Sequence, residues 1–354
     1  MKLQPNDDQR QLLYKTLERA NAACNWMSHQ VWAIQAFSQS TIHRLTYYPV
    51  REQFELTAQL AVRCVGKVVD AYKKDRKTKR LFRKHGAIPY DNRILNWRIP
   101  DLKVSIWVLG GRETMPFVTG DHQLELLQYQ QGESDLFYRR GNFYLVATCD
   151  VPANAPIDSE GWLGIDMGIA NIATDNTGEQ YSGSHLKSVR HRHRRLRQKL
   201  QKKQTDSARR KLKQLSGREY RFASNTNHTI SKHIVAKAQR HSLGIALEDL
   251  GGIRARITVR RAQRVTLHSW SFSQLRAFIE YKGARRGIPV VKVNPRNTSR
   301  QCSVCGHIDK ASRKTQSSFS CTSCGHAAHA DVNAAINIGR RAGVTPPNVG
   351  SIAD

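Results

Sequence analysis

Acidic residues are scarce in this chain. Among 354 residues there are 28 Asp and Glu against 57 Lys and Arg, a formal net charge of +29. That excess argues against an ordinary metabolic enzyme and implies a polyanionic partner, with nucleic acid ahead of an anionic membrane surface. Long apolar runs are also lacking. None approaches the roughly 18 residues that a spanning helix needs, so no membrane partner is expected. Met1-Lys2-Leu3-Gln4-Pro5 has no apolar core behind its basic residue, which argues against a secretory signal. A cytoplasmic location, in a bacterial cytoplasm or nucleoid, is the expectation. No internal repeat or low-complexity tail is evident. Cysteine is sparse, at seven, and four of the seven share one short segment. Cys24, Cys64 and Cys149 are an odd remainder among apolar neighbours, and read as buried, reduced thiols. The length allows two or three folded units with cores of their own.

The four clustered cysteines form Cys302-Ser303-Val304-Cys305 and Cys321-Thr322-Ser323-Cys324, two residues within each pair and fifteen between the pairs. This is a structural zinc spacing: two residues make a tight turn, so both sulfurs of a pair reach one tetrahedral Zn²⁺. His307, His326 and His329 are substitute ligands that four thiolates make unnecessary. Such a ribbon either contacts nucleic acid or staples a segment too small for its own core. The staple is favoured, because Ser303, Val304, Thr322 and Ser323 offer no basic readout surface. Asp331 follows the last cysteine by seven positions, so the staple would also hold that acid in place.

Upstream, the texture changes several times. A short strand near Met1 to Gln4 precedes helical patterning to about residue 82, with Leu12, Leu13, Leu17, Ala20 and Cys24 at helical spacing and a second run over about Val50 to Tyr72. That run ends in a one-signed basic cluster, with Lys73, Lys74, Arg76 and Lys77 as candidate phosphate contacts. Residues 88 to 151 read as short strands with turns, an all-β module; Leu124 to Tyr129 is expected as one strand and Arg140-Gly141-Asn142 as a hairpin turn. Pro152 to Pro156 reads as a linker. A strand holding Asp166 follows, then Asn171 to Asp175, then a basic helical region from Lys187 to Arg221. Its candidate nucleic-acid contacts are Arg192, Arg194, Arg195, Arg197, Lys202, Lys203, Arg209, Arg210 and Lys211, with Asp206 almost alone against them. A helix over Thr229 to Gln239, a strand over Leu243 to Glu248, a basic loop over Arg254 to Arg264, a helix near Phe272 to Arg285 and a strand over Ile288 to Val293 lead to the ribbon. A helix from Asp331 to Arg341 follows it.

Three acids fall in related settings. Asp166 lies in the apolar strand Ile165-Asp166-Met167, Glu248 ends Ile245-Ala246-Leu247-Glu248, and Asp331 opens a helix. A charge at the end of a core strand is expensive unless it is paired or holds a cation. Three converging oxygen ligands suit Mg²⁺ or Mn²⁺, and two such ions can activate water against a phosphodiester. Each acid also has a structural reading: Asp166 in a turn, Glu248 paired to an arginine, Asp331 as a helix cap. Asp249 competes with Glu248, and spacing does not choose between them.

The order of these blocks resembles a known family. Gly164-Ile165-Asp166-Met167-Gly168, Leu247-Glu248-Asp249-Leu250, Thr298-Ser299-Arg300-Gln301-Cys302 through Cys324, and Ala330-Asp331-Val332-Asn333-Ala334-Ala335 together resemble TnpB. This is the OrfB-type nuclease of insertion sequences, a relative of type V CRISPR effectors. His268-Ser269-Trp270-Ser271-Phe272, Tyr281-Lys282, Gly287 to Val290, Arg313, Gln316 and Phe319 also look like family positions. The resemblance implies a multidomain α+β protein. In it, a RuvC-like, RNase H-type α/β domain (156–296 and 329–354, with a basic helical insertion at 187–222) carries an inserted four-cysteine zinc ribbon at 297–328. A wedge-type β-barrel (1–8 and 85–155) would hold an inserted helical recognition lobe at 9–84. By the same resemblance Asp166, Glu248 and Asp331 are the catalytic metal-binding triad for two Mg²⁺ or Mn²⁺ ions. One structural Zn²⁺ and a guide RNA from the element's end are the other cofactors, and double-stranded DNA beside a short adjacent motif is the target. A small type V CRISPR effector, an RNA-guided repressor that does not cut, and an RNA-independent RuvC-type resolvase or transposase are the rival readings. The sequence leaves monomer and dimer equally open.

Overall fold

The structure, a computed structural model, describes residues 1–168, 170–250 and 272–344. The basic loop Arg254 to Arg264 and the block His268 to Ser271 lie outside the described residues. The chain divides into two compact units, Met1–Val151 and Pro152–Asp354.

In the first unit, β1 (Lys2–Leu3) runs into α1 (Asp7–Ala33). Asn6 and Gln9 cap that helix reciprocally, each side chain bonding the other's backbone N–H. Leu13, Leu17, Ala20, Cys24, Met27 and Val31 recur every three or four residues and are buried. They share a core with α2 (Gln39–Gln53) and α3 (Ala58–Lys74). The expected run from Val50 to Tyr72 is therefore two helices. Glu55 takes a left-handed φ of 50°, and the Thr57 hydroxyl caps α3 by accepting from the Leu60 N–H. Lys73 and Lys74 at the end of α3 and Arg76 and Lys77 after it are exposed, Lys73 pairing with Asp70, while Arg80 folds back onto Asp75.

The strands of this unit are β2 (Ile88–Tyr90), β3 (Leu95–Arg98), β4 (Lys103–Val108), β5 (Gly111–Val118), β6 (Gln130–Arg139) and β7 (Asn142–Cys149). With β1 they form one seven-stranded sheet ordered β2-β6-β7-β1-β5-β4-β3. Arg140 and Gly141 both have positive φ, 51° and 83°, the primed turn that matches strand twist. Leu124 to Tyr129, expected as a strand, is instead part of a short helix, α4 (Asp121–Leu127). Only Leu127 of that helix is buried, so the segment lacks the alternating inward face that would hold it in a sheet. Cys24 and Cys64 are buried and Cys149 is half-buried.

The second unit is built on a five-stranded sheet ordered β10-β9-β8-β11-β12. Its strands are β8 (Gly161–Asp166), β9 (Asn171–Asp175), β10 (Gln180–Ser182), β11 (Leu243–Glu248) and β12 (Val290–Val293). The pairs β8–β11 and β11–β12 are parallel; β9 and β10 run antiparallel beyond β8. Helices α5 (Ser184–Lys203), α6 (Asp206–Leu215) and α7 (Arg218–Arg240) lie between β10 and β11. The single basic region expected here is broken at Gln204 and Gly217, both left-handed, and the helix expected over Thr229 to Gln239 is the second half of α7. α8 (Phe272–Arg285) precedes β12. The ribbon hairpin β13 (Ser318–Ser320) and β14 (Ala327–His329) then leads into α9 (Ala330–Val344).

Alternation along the strands assigns the helices to faces. Leu163 and Ile165 of β8 and Ile245 and Leu247 of β11 pack with Ile230, Ile234 and Val235 of α7 and Leu275 and Ile279 of α8. Ala246, Val291 and Val293 point the other way, onto Ile338 and Ala342 of α9. Contact between α9 and β8 is backbone to backbone. A Cβ at Gly164 would sit 2.0 Å from the Ala335 carbonyl oxygen and 2.5 Å from the Gly339 nitrogen. Gly164→Ala is therefore expected to destabilise the protein by about 3 kcal/mol or more, read as a lowered urea midpoint. An unchanged midpoint would contradict this packing.

Candidate active site

Two acids leave the sheet at one edge. Asp166 is the last residue of β8 and Glu248 the last of β11, and Ile165 lies opposite Leu247 in the parallel register. The carboxyl ends of parallel strands are where α/β sheets bind ligands. The third acid, Asp331, is the second residue of α9. Glu248 and Asp331 are buried, at 8% and 4% exposure, and Asp166 is half-buried.

The three act on one another electrostatically. Burial, then the negative charges of Glu248 and Asp331, push the Asp166 carboxyl up to about 8, and Arg313 works against them. Burial also raises Glu248, opposed by a hydrogen bond from the Thr298 hydroxyl and by Arg341 and Arg313. Asp331 is held at both oxygens: Arg313 donates to Oδ1 at 3.2 Å and Asn171 to Oδ2 at 3.2 Å. Its backbone N–H donates to His329 Nδ1 at 3.3 Å. Asp249, the neighbour of Glu248, is more than half exposed and pairs with Arg276 at 3.3 Å. The donor set fits a hard divalent cation. It is all carboxylate oxygen, and its mutual repulsion is the cost that a cation would remove. Asp166, Glu248 and Asp331 are the residues that would hold it.

The four cysteines come together as their spacing predicts. All four sulfurs lie within 4.8 Å of one another, and among the described residues no other three or more His, Cys, Asp or Glu ligand atoms cluster so closely. The three carboxylates are spread more widely than that. Each cysteine pair closes a matching turn. Cys302 N–H donates to the His307 carbonyl and Cys321 N–H to the His326 carbonyl, both at 2.8 Å, while Gly306 and Gly325 take φ of 77° and 73°. Backbone N–H groups of Val304 and Cys324 point at Cys302 and Cys321 Sγ. The Cys324 N–H is the main reason the Cys321 thiol is pulled down to about 6. Four such sulfurs suit one tetrahedral Zn²⁺.

Helix α9 ties the cysteine segment to the acids. Asn333 accepts from the Ser303 N–H at 2.9 Å and donates to the Gln301 carbonyl at 2.8 Å. Asn337, one turn on, donates to the carbonyls of Thr298 and Gln301 at 3.0 and 2.7 Å. Arg341 reaches the carbonyls of Asn294 and Arg296. Sequence reasoning gave no role to Thr298, Asn171, Asn333 or Asn337. The available signal was two asparagines four apart in the otherwise apolar stretch Val332 to Gly339, where buried amides need hydrogen-bond partners.

Of the basic candidates, Arg192, Arg194, Arg195, Lys202, Lys203, Arg210 and Lys211 are exposed, whereas Arg197 pairs with Glu219 and Arg209 with Asp206.

Two outcomes follow. Asp166 binds its proton more tightly folded than unfolded, so its contribution to stability falls as pH rises from about 4 to about 8. In protein without added divalent cation, Asp166→Asn should raise the melting temperature by several degrees near pH 8 and by little near pH 5. A pH-independent difference would contradict the repulsion. Cys305→Ser should release bound zinc and lower the melting temperature, measured by metal analysis and calorimetry. Full zinc occupancy in that variant would exclude the four-sulfur site.

Residues 147–250 match OrfB_IS605, described as a probable transposase, and residues 272–338 match the Cas12f1-like TNB domain. The chain is 33% identical over 231 residues to the CRISPR-associated endodeoxyribonuclease Cas12f1 of Sulfoacidibacillus thermotolerans, covering 60% of this chain and 53% of that protein. It is 35% identical over 158 residues to the TnpB-like protein MJ0751 of Methanocaldococcus jannaschii, covering 43% and 56%. The matches thus span about half the length of these relatives. Among solved structures, a Cas12f1–sgRNA–target DNA complex aligns with a TM-score of 0.64 at 16% identity, over 94% of this chain and 83% of that one. This likeness establishes a shared multidomain α+β fold. By sequence, the chain is similar to TnpB-like proteins and to type V effectors over these stretches.

Proposed function

We propose that this chain is an RNA-guided endonuclease that cuts double-stranded DNA beside a short element-adjacent motif. The observation that carries the proposal is the electrostatic coupling of three acids, from β8, β11 and α9, in a chain of net charge +29. Supporting it are relatives named as an endodeoxyribonuclease and as TnpB-like, and a fold neighbour solved with sgRNA and target DNA. On this reading the second unit is a RuvC-like nuclease domain with an inserted zinc ribbon. The first unit is a wedge-type barrel with the helices α1 to α3 as recognition lobe. The guide RNA comes from the element's end, and the protein works in the bacterial cytoplasm.

Bound at the acids, two Mg²⁺ or Mn²⁺ ions would supply water activation and charge stabilisation at the leaving oxygen. The chain's own part is orientation. Thr298 fixes one Glu248 oxygen, and Asn171 and Arg313 fix Asp331. Burial and the neighbouring acids make the Asp166 carboxyl hold its proton more tightly than usual, and Arg313 offsets charge before substrate arrives. Arg192, Arg194, Arg195, Lys202, Lys203, Arg210 and Lys211 on α5 and α6, with Lys73 and Lys74 at the end of α3 and Arg76 and Lys77 after it, carry the phosphate contacts. Products would bear 5′-phosphate and 3′-hydroxyl ends. A small type V effector is the second reading, favoured by the TNB-domain match. Its chemistry is the same. A non-cutting repressor is disfavoured by the three acids being intact.

The test is guided cleavage of a labelled duplex by protein purified with its RNA. Asp166→Ala and Glu248→Ala should each slow cutting by about 10³-fold or more while duplex binding persists. Retained cutting would remove the triad; loss of binding with loss of cutting would point to folding instead.

A further inference from the structure

The seam between α7 and α8 carries an aromatic and cationic strip that the nuclease reading does not use. His228 of α7 stacks on Phe278 of α8 with ring centroids 3.8 Å apart and an interplanar angle of 18°. Tyr281 meets the edge of Phe278 at 5.9 Å. Lys282 lies 5.7 Å from the Phe278 ring centre and 5.9 Å from that of Tyr281, while its ammonium donates to the His228 carbonyl and to Ser231 Oγ, each at 2.7 Å. Further along the same seam, Gln274 links the two helices. Its side chain accepts from Asn227 at 3.0 Å and donates to the Tyr220 hydroxyl at 3.2 Å.

Two of these rings contribute little to packing. Tyr220 is 63% exposed and Tyr281 is 39% exposed. Helix spacing puts Tyr220, Asn227 and His228 on one side of α7, and Gln274, Phe278, Tyr281 and Lys282 on one side of α8. The surroundings are positive: burial first, then Arg286 and Lys232, lower the proton affinity of Lys282. The nearby acids are already engaged: Glu219 with Arg190 and Arg197, Glu280 with Arg276 and Lys292. Exposed rings with cations beside them suit a ligand that offers both flat π-faces and phosphates. That is the chemistry of unpaired nucleotides. A duplex keeps its bases stacked inside and presents no such faces.

We infer that the α7–α8 seam binds single-stranded nucleic acid, with bases stacked on Tyr220 and Tyr281 and the backbone along Lys232, Lys282 and Arg286. Its test involves no cleavage. Full-length protein, without added divalent cation, is titrated with labelled oligo(dT) and oligo(U) across a range of salt. Tyr220→Ala/Tyr281→Ala should weaken binding by about 5-fold or more and leave the slope of log Kd against log salt unchanged, since no charge is lost. Tyr220→Phe/Tyr281→Phe should restore it. Lys232→Ala should lower that slope by about 1. Loss confined to oligo(dT) assigns the strip to a DNA strand, loss confined to oligo(U) to RNA, and loss of both to either. Affinity within twofold of the parent for both oligonucleotides in the alanine variant, or failure of phenylalanine to restore a loss, overturns the inference.

Discussion

Like charge held out of water is the constraint on which the second unit depends. Asp166, Glu248 and Asp331 come from three elements, and packing brings them to the carboxyl ends of the parallel strands β8 and β11, where Glu248 and Asp331 make Asp166 harder to ionise. Left alone, such a cluster favours proton uptake or separation. The chain resists separation by fastening two of the acids independently. Glu248 is fixed from the loop after β12 through Thr298, and Asp331 from β9 through Asn171 and from the cysteine segment through Arg313. Rigid placement of mutually repelling oxygens is a physical route to a strong demand for a cation.

The fastening runs through α9. One side of the helix lies on β8 so closely that Gly164 leaves no room for a side chain and Gly339 leaves little. Another side offers Asn333 and Asn337 to the backbone leading into the first cysteine turn. The helix that brings Asp331 to the sheet is thus also the wall against which the cysteine segment is built. Buried amides saturated by backbone groups are costly to misplace, and this sets the position of Asp331 more sharply than a loop would.

Much of this was legible in the residues, for identifiable reasons. The cysteine spacing dictates its own geometry, and the four sulfurs do meet. The acids were visible because a charge interrupting an apolar strand is conspicuous; that they influence one another required the tertiary structure. Choosing between Glu248 and Asp249 by spacing was impossible, since adjacent strand residues face opposite ways and register alone decides which points inward. In the structure Glu248 is buried beside Thr298 and Asp249 pairs outward with Arg276. The strand expected over Leu124 to Tyr129 became a helix because the segment is too little buried for alternation to rule. The break between α2 and α3 was missed because Thr57 caps within a stretch whose apolar residues continue in phase on both sides. The supporting amides Asn333 and Asn337 were passed over because their partners are main-chain groups, which a side-chain pattern does not identify.

The shared bonding of α9 has a practical side for anyone who would transplant parts between such proteins. Asn333, Asn337 and Arg340 all address main-chain groups between Thr298 and Ser303. Cysteine turns and terminal helix therefore behave as one exchangeable cassette. A chimera whose junction falls between them would orphan several polar groups at once, whereas one cut ahead of Asn294 and carried through Val344 would keep them all.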